Sequence, residues 1–221
     1  MRIALINENS QASKNAAVER ALKKAVAPYG YEVVNYGMFD EQDEALTYVQ
    51  NGILAAILLN SGAADYVVTG CGTGQGAMLA CNAFPGVLCG HIEDPLDAYT
   101  FAQINDGNAI ALPFAKGFGW GGDLNLEYIF EKLFCEPAGQ GYPRERAIPE
   151  QRNKQILDQV KAVTCQDLKA ILPQLDAQLV QGVIGRPSFQ ARFFQDCASE
   201  EYAALIRDLI QKNGKDNSQW K

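Results

Sequence analysis

Along the first 135 residues, apolar stretches of strand length alternate with longer stretches in which apolar positions recur every three or four residues. The short stretches predict strands near 2–6, 32–36, 65–70, 86–91 and 108–112. The longer ones predict helices over 13–28, 43–60, 75–82, 95–104 and 121–135, the second closed by Asn60-Ser-Gly-Ala. Strict alternation of the two kinds is the pattern of an α/β fold, a five-stranded parallel sheet covered on both faces by helices. After Pro137 the texture changes. Ala-Gly-Gln-Gly-Tyr-Pro is rich in turn formers, and from Glu150 onward only helical spacing is present. The division expected is an α/β unit over 1–150 and a helical C-terminal extension over 151–221. Ile156, Val160, Val163, Leu168, Ile171, Leu172 and Leu175 form an amphipathic pattern that must cover something apolar, the main unit or a second subunit. The polar residues after Lys212 are expected to fray. No internal repeat is present.

Composition narrows the partners. A chain of 221 residues with 48% apolar and 20% charged residues is long enough for one sizeable core. A net charge of -7 and the lack of any basic run exclude nucleic acid and anionic membrane as expected partners, leaving a small molecule. Met-Arg-Ile-Ala-Leu-Ile enters a strand at once, without a signal-peptide core, and no run is long enough to span a membrane, so a cytoplasmic location is expected. Six cysteines without a CxxC pair, beside a single histidine, offer no zinc site, and reduced thiols are expected.

The segment Asp65-Tyr-Val-Val-Thr-Gly-Cys-Gly-Thr-Gly-Gln-Gly76 concentrates the chemistry. An apolar strand runs into a turn with Gly70, Gly72, Gly74 and Gly76, and Cys71 stands at its mouth. Glycines let the main chain approach a ligand closely. The helix that follows turns its positive end to whatever the turn holds, which suits an anion or a developing oxyanion and favours a thiolate. Ligands of open parallel sheets bind at the carboxyl ends of the strands. There Asn7-Glu8-Asn9-Ser10, Cys71 to Gly76, His91 to Asp94 and Pro113 to Lys116 should converge, with Asn105-Asp-Gly-Asn108 nearby. Nucleophilic catalysis would want a histidine beside Cys71, whereas proton abstraction next to a carbonyl needs only the thiolate and donors for the enediolate oxygens. Glu8 serves as substrate contact or helix cap, Asn105 as ligand contact or helix stop, and His91 as acid or structural residue. Arg144, Arg146 and Arg152 fit an anion clamp or a subunit-bridging patch. Phe118-Gly-Trp-Gly-Gly122 reads as turn and packing, with Trp120 an anchor for a helix or subunit contact.

Gly70-Cys-Gly-Thr-Gly-Gln-Gly-Ala-Met-Leu-Ala-Cys-Asn82, then Pro85-Gly-Val-Leu-Cys89 and Asn105-Asp-Gly-Asn-Ala-Ile-Ala-Leu112, resemble the type B ribose-5-phosphate isomerases and galactose-6-phosphate isomerase subunits in order and spacing. The resemblance implies a Rossmann-like α/β/α sandwich and a homodimer or dimer of dimers with sites between subunits. It also implies no metal or other cofactor, and aldose–ketose interconversion of a sugar phosphate through a cis-enediolate. By position, Cys71 matches the residue that moves the proton between C1 and C2, and Thr73 the residue assisting ring opening or proton shuttling. The amides of Gly72, Gly74 and Gly76 match the enediolate-holding loop, and Arg144 and Arg146 the anion-binding arginines. Ala77 stands where some members carry a glutamate, which places this chain with the cysteine type. Glu8-Asn9 replaces the family's Asp-His and Ile104 its ring-opening histidine, while Lys116 stands where an arginine is usual. These departures point to an open-chain substrate whose anionic group is a carboxylate, such as a 4-deoxy-5-keto uronate. A sugar-phosphate binder without catalysis is the reading of another class.

Overall fold

The computed structural model describes residues 1–216. Five parallel strands, β1 (Arg2–Leu5), β2 (Glu32–Asn35), β3 (Tyr66–Cys71), β4 (Cys89–His91) and β5 (Ala109–Pro113), form one sheet in the order β2-β1-β3-β5-β4. From β1 the chain steps outward to β2 and then back across to β3, so the strand order reverses between β1 and β3. Such a reversal leaves a crevice at the carboxyl edge, because the flanking connections diverge to opposite faces. The last pair in the β3–β5 register is Cys71 with Pro113, which puts the thiol at that edge.

Helices α1 (Asn15–Val26), α4 (Pro95–Thr100) and α5 (Gly122–Phe134) cover one face, burying Val18, Leu22, Leu126, Ile129 and Phe130 against Ile3, Leu5, Val68 and Ile110. Helices α2 (Tyr48–Asn60) and α3 (Gln75–Asn82) cover the other. Over α2 lies a further layer built by the extension, from α7 (Leu168–Ile171), α8 (Ala177–Ile184), α9 (Pro187–Asp196) and α10 (Glu200–Asp216), while α6 (Ala147–Thr164) packs beside residues 101–105. Leu168, Leu172, Val183, Phe189, Phe193 and Ile206 join the cluster that contains Ile53, Leu54, Ile57 and Leu58 of α2. One core therefore runs from the sheet through α2 into the extension.

Several boundaries differ from expectation for local reasons. Helix α2 begins at Tyr48 rather than 43, because Thr47 and Gln50 form a reciprocal capping box. The preceding residues turn on the side chains of Asp40 and Asp43. The first helix is shortened at both ends by 3-10 turns, Asn9–Lys14 and Ala27–Tyr29, the latter holding Pro28. Helix α4 ends at Thr100 and continues as a π turn over Phe101–Asn105. Strand β4 has only three residues. Trp120 does not pack: its side chain is fully exposed among Gly117, Gly119 and Gly121, none of which has a neighbour near its Cβ position. In α6, Ile156, Val160 and Val163 are exposed, while the expected burial is met by Leu168 and Leu172. All six cysteines are free thiols. The buried Cys89 thiol is pushed well up by its hydrogen bond with Cys81 and by burial. Beyond Asp216 the tail expected to fray lies outside the described residues. No helix among the described residues is long and apolar enough to cross a membrane.

Candidate active site

Strand β3 delivers Cys71 to the carboxyl edge at 8% exposure, on the floor of the glycine turn. Gly70 has to be glycine, since a Cβ there would lie 2.3 Å from the Leu112 carbonyl oxygen and 2.4 Å from the Phe114 ring. Gly74 caps α3 with φ +76, a left-handed conformation that side chains resist. Its absent Cβ would lie 2.7 Å from His91 Nε2. Because the cap has no side chain, the first turn of α3 keeps its orphan donors. Among the described residues, no protein acceptor takes the N–H groups of Gly72 through Ala77. Thr73 and Gln75 are exposed and Gly72 and Gly76 half-buried, so the turn faces solvent. Tyr48, at the start of α2, lays its ring beside Gly76, 3.3 Å from that residue's Cβ position.

The neighbouring strand exits supply the walls. After β1, Glu8 is buried and its carboxylate is occupied, accepting from the Ser10 amide at 3.0 Å and from the Ser10 hydroxyl. Of its two expected roles the structure thus fills the cap. Asn9 is exposed beside it, and its amide donates to the Leu46 carbonyl at 2.8 Å. After β4, His91 Nε2 meets the Thr73 carbonyl at 2.8 Å, so this imidazole is engaged with the main chain. Its Nδ1 lies 3.8 Å from Glu93, and Glu93 pairs with Lys116 at 2.5 Å. The Lys116 ammonium holds the Glu93 carboxyl below the ordinary carboxylate range. After β5, Phe114 accepts through its carbonyl from Lys14, whose ammonium also lies over the Phe118 ring.

Asn105 does not join this group. Crossover helices run antiparallel to the strands, so the exit of α4 lies at the amino edge. There Asn108 bonds Leu88 at 2.8 Å and Gly86 at 2.7 Å, ahead of β4. The four steps from Ala109 to Pro113 of β5, at roughly 3.3 Å each, separate the two edges by about 13 Å. The expectation that Asn105 to Asn108 lie near Cys71 within one chain is therefore corrected. Arg144 and Arg146 share the amino edge. Gly139 and Gly141 donate to the Ala102 and Gln103 carbonyls at 2.9 Å each, which docks the 138–146 segment on the π turn. Arg144 is exposed and pairs with Glu136, and Arg146 is exposed. A hollow of about 360 Å³ lies here, bounded by Ile104, Asp106, Gln140, Lys154 and Asp158. Asp106 takes φ +48, and burial pushes its carboxyl up.

Three further residues shape the site. Asn51 on α2 donates to the Thr69 hydroxyl under the thiol strand at 3.0 Å. Lys14 ties the 3-10 turn after β1 to the exit of β5. Arg186, at the α8–α9 junction, is 1% exposed. It pairs with Asp43 at 2.7 Å and donates to the Glu44 carbonyl. The loop it grips is bonded to the β1 exit, through Asn7 N–H to Gly37 at 2.6 Å and Met38 N–H to Asn7 at 3.0 Å. The only signal of Arg186 in the sequence is a lone arginine between apolar helical runs.

Comparison with known proteins agrees with this architecture. Residues 3–124 match the family described as Ribose/Galactose Isomerase, and residues 163–209 match a second family described as Ribose-5-phosphate isomerase. A solved 4-deoxy-L-threo-5-hexosulose-uronate ketol-isomerase, complexed with a tartrate, is 55% identical with a TM-score of 0.93, covering 96% of this chain and 100% of that one. The solved ribose-5-phosphate isomerase LacAB_rpiB of Vibrio parahaemolyticus is 53% identical with a TM-score of 0.92, over 95% of this chain and 99% of that one. The type B ribose 5-phosphate isomerase of Trypanosoma cruzi, at 19% identity and TM-score 0.61 over 74% of this chain and 99% of that one, shares the fold. A curated 4-deoxy-4-sulfo-D-erythrose isomerase of Clostridium sp. (strain MSTE9) is 27% identical over 95 residues, 43% of this chain. The chain spans 59% of the length of that curated relative. The chain belongs to the ribose/galactose isomerase family.

Proposed function

We propose that the protein is an aldose–ketose isomerase in which Cys71 transfers a proton between adjacent carbons of an open-chain acidic sugar. The observation that carries this reading is the thiol on the floor of a turn whose amide donors find no acceptor among the described residues. The Cys71 thiolate takes the proton from C2, and the electron pair of that C–H bond forms the C1–C2 double bond while the C1 carbonyl becomes an oxyanion. Amides of the turn hold the oxygens of the resulting cis-enediolate, an effect worth on the order of a hundred- to a thousandfold per donor. The Thr73 hydroxyl carries a proton from O2 to O1, and Cys71 returns its proton to C1, leaving the carbonyl on C2. Atoms and charge balance without an external reagent.

The substrate reading rests on the histidine. A ring-closed sugar needs an acid or base to open it, and the single imidazole of this chain is engaged with the Thr73 carbonyl. An open-chain keto-uronate avoids that step and accords with the 55% identical ketol-isomerase. The alternative is a sugar phosphate, supported by the 53% identical ribose-5-phosphate isomerase. Asn105, Arg144 and Arg146, at the opposite sheet edge from Cys71, fit a homodimer in which each chain completes its partner's site and the arginines meet the anionic end of the substrate. The test is a coupled isomerase screen with 4-deoxy-L-threo-5-hexosulose uronate, ribose 5-phosphate and galactose 6-phosphate. Turnover of the uronate is expected. Turnover of the ring-closed phosphates alone would reject the substrate reading, and turnover of none would favour a binding protein.

A further inference from the structure

Three consecutive carbonyls after β3 are tethered by the elements on the β5 side. Cys71 O accepts from Phe114 N–H at 2.9 Å, and Gly72 O accepts from Ala115 and Lys116 N–H at 3.0 and 2.9 Å. Thr73 O meets His91 Nε2 at 2.8 Å. In a trans peptide the N–H points opposite to the carbonyl. Tethering these carbonyls therefore turns the N–H groups of Gly72, Thr73 and Gly74 away from β5, toward the crevice between β1 and β3. Successive amides turned to one side form an anion-holding nest. The first two tethers are main-chain bonds that almost any sequence would make. The third is a side chain and depends on residue 91.

A carbonyl only accepts, so the Nε2 of His91 carries the hydrogen. Its Nδ1 faces Glu93 at 3.8 Å, and Glu93 is held in turn by Lys116. The fit is close, since a Cβ on residue 74 would meet the imidazole at 2.7 Å. The geometry points to His91 as the positioning residue of the oxyanion cradle: by fixing the Thr73–Gly74 peptide plane it aims the Gly74 N–H at the enediolate oxygen. It acts through the main chain and does not touch substrate. This role rests on the isomerase reading.

The test combines spectroscopy with kinetics on the full chain. Because the chain has one histidine, its imidazole nitrogens give an unambiguous ¹⁵N signature, and the expected form is the Nε2–H tautomer with a slowly exchanging proton. An Nδ1–H tautomer, or a proton exchanging as fast as in free imidazole, would overturn the proposal. In the uronate assay, His91→Leu should lose about a hundredfold in kcat with KM changed by less than about threefold, the cost of one misaimed donor. His91→Gln, whose amide can reach the same carbonyl, should stay within about tenfold of the parent and keep its pH profile. A His91→Gln variant as impaired as His91→Leu, or missing one limb of the profile, would assign the imidazole a chemical role and reject positioning. If His91→Leu does not fold, the His91→Gln profile and the tautomer still decide. An inactive parent with the expected tautomer would reject the isomerase reading while upholding the brace.

Discussion

At the scale of single residues, the turn after β3 is held by contacts that leave no room for a side chain at Gly70 or Gly74. The glycine turn identified itself because only glycine tolerates a Cβ contact such as the 2.3 Å at Gly70 or the positive φ at Gly74. Glu8 was not decidable from the chain, since a carboxylate after a strand suits a cap and a ligand equally; the nearby Ser10 amide and hydroxyl settle its occupancy. His91 was equally opaque, because no periodicity reports that a side chain from β4 reaches the carbonyl of Thr73. Gly74→Ala is expected to destabilise the fold by about 1–2 kcal/mol through the left-handed backbone alone. It should also lower kcat by displacing His91, which urea unfolding and steady-state kinetics check together. Parent-like values in both would contradict the tight fit described at this turn.

At the scale of elements, α2 carried a message beyond its own existence. Ile53-Leu-Ala-Ala-Ile-Leu-Leu59 is apolar on every side, and a helix apolar all round has to be covered all round. The sheet covers one side and Phe189, Phe193, Val183 and Ile206 of the extension cover another, so the sequence holds evidence for the further layer within α2 itself. Asp43 to Leu46 match the helical period but are claimed by side-chain turns and the Thr47 cap, so α2 starts later than the spacing predicts. Arg186 links this layer to the site loop from 143 residues away, which no local pattern encodes. Arg186→Met should cost about 3 kcal/mol, because it strips the partner from Asp43 and the Glu44 carbonyl while their loop stays packed. Hydrogen exchange should quicken in residues 38–46 and not in α5. A loss below about 1 kcal/mol would show that the clamp holds nothing.

At the scale of the whole molecule, the sheet sets the two groups of site residues apart. The antiparallel run of α4 sends Asn105 to the amino edge, and the 138–146 segment carries Arg144 and Arg146 there too. Strand order depends on long-range pairing, and hydrophobic periodicity reports only local structure, so nothing along the chain says which loops share an edge. If partner chains complete each other's sites, mixing inactive Cys71→Ala and Asn105→Ala chains under refolding should restore about a quarter of parental activity, since half the dimers are mixed and each has one intact site. No recovery would reject the shared site. Acid stability follows a separate bridge. Glu32 on β2 accepts from Arg2 and from Arg192 of α9, which hold its carboxyl below the ordinary range. A depressed carboxylate releases its proton more readily in the folded chain, so its stabilisation is present above pH 4.5 and is lost as pH falls through the lower folded value. The pair is half exposed, so Glu32→Gln should cost no more than about 1 kcal/mol at pH 7. That difference from the parent should shrink in thermal melts as pH falls below 4.5, and a difference that grew on acidification would have the wrong sign.

The central assignment is Cys71 as the proton-transfer base, and the most direct measurement is solvent exchange at carbon. In deuterium oxide with 4-deoxy-L-threo-5-hexosulose uronate, proton NMR should show the parent protein placing deuterium at C1 or C2. Cys71→Ala, folded to the same melting temperature, should lose exchange by at least about a hundredfold, as expected for removal of a general base. Undiminished exchange in Cys71→Ala would contradict the account.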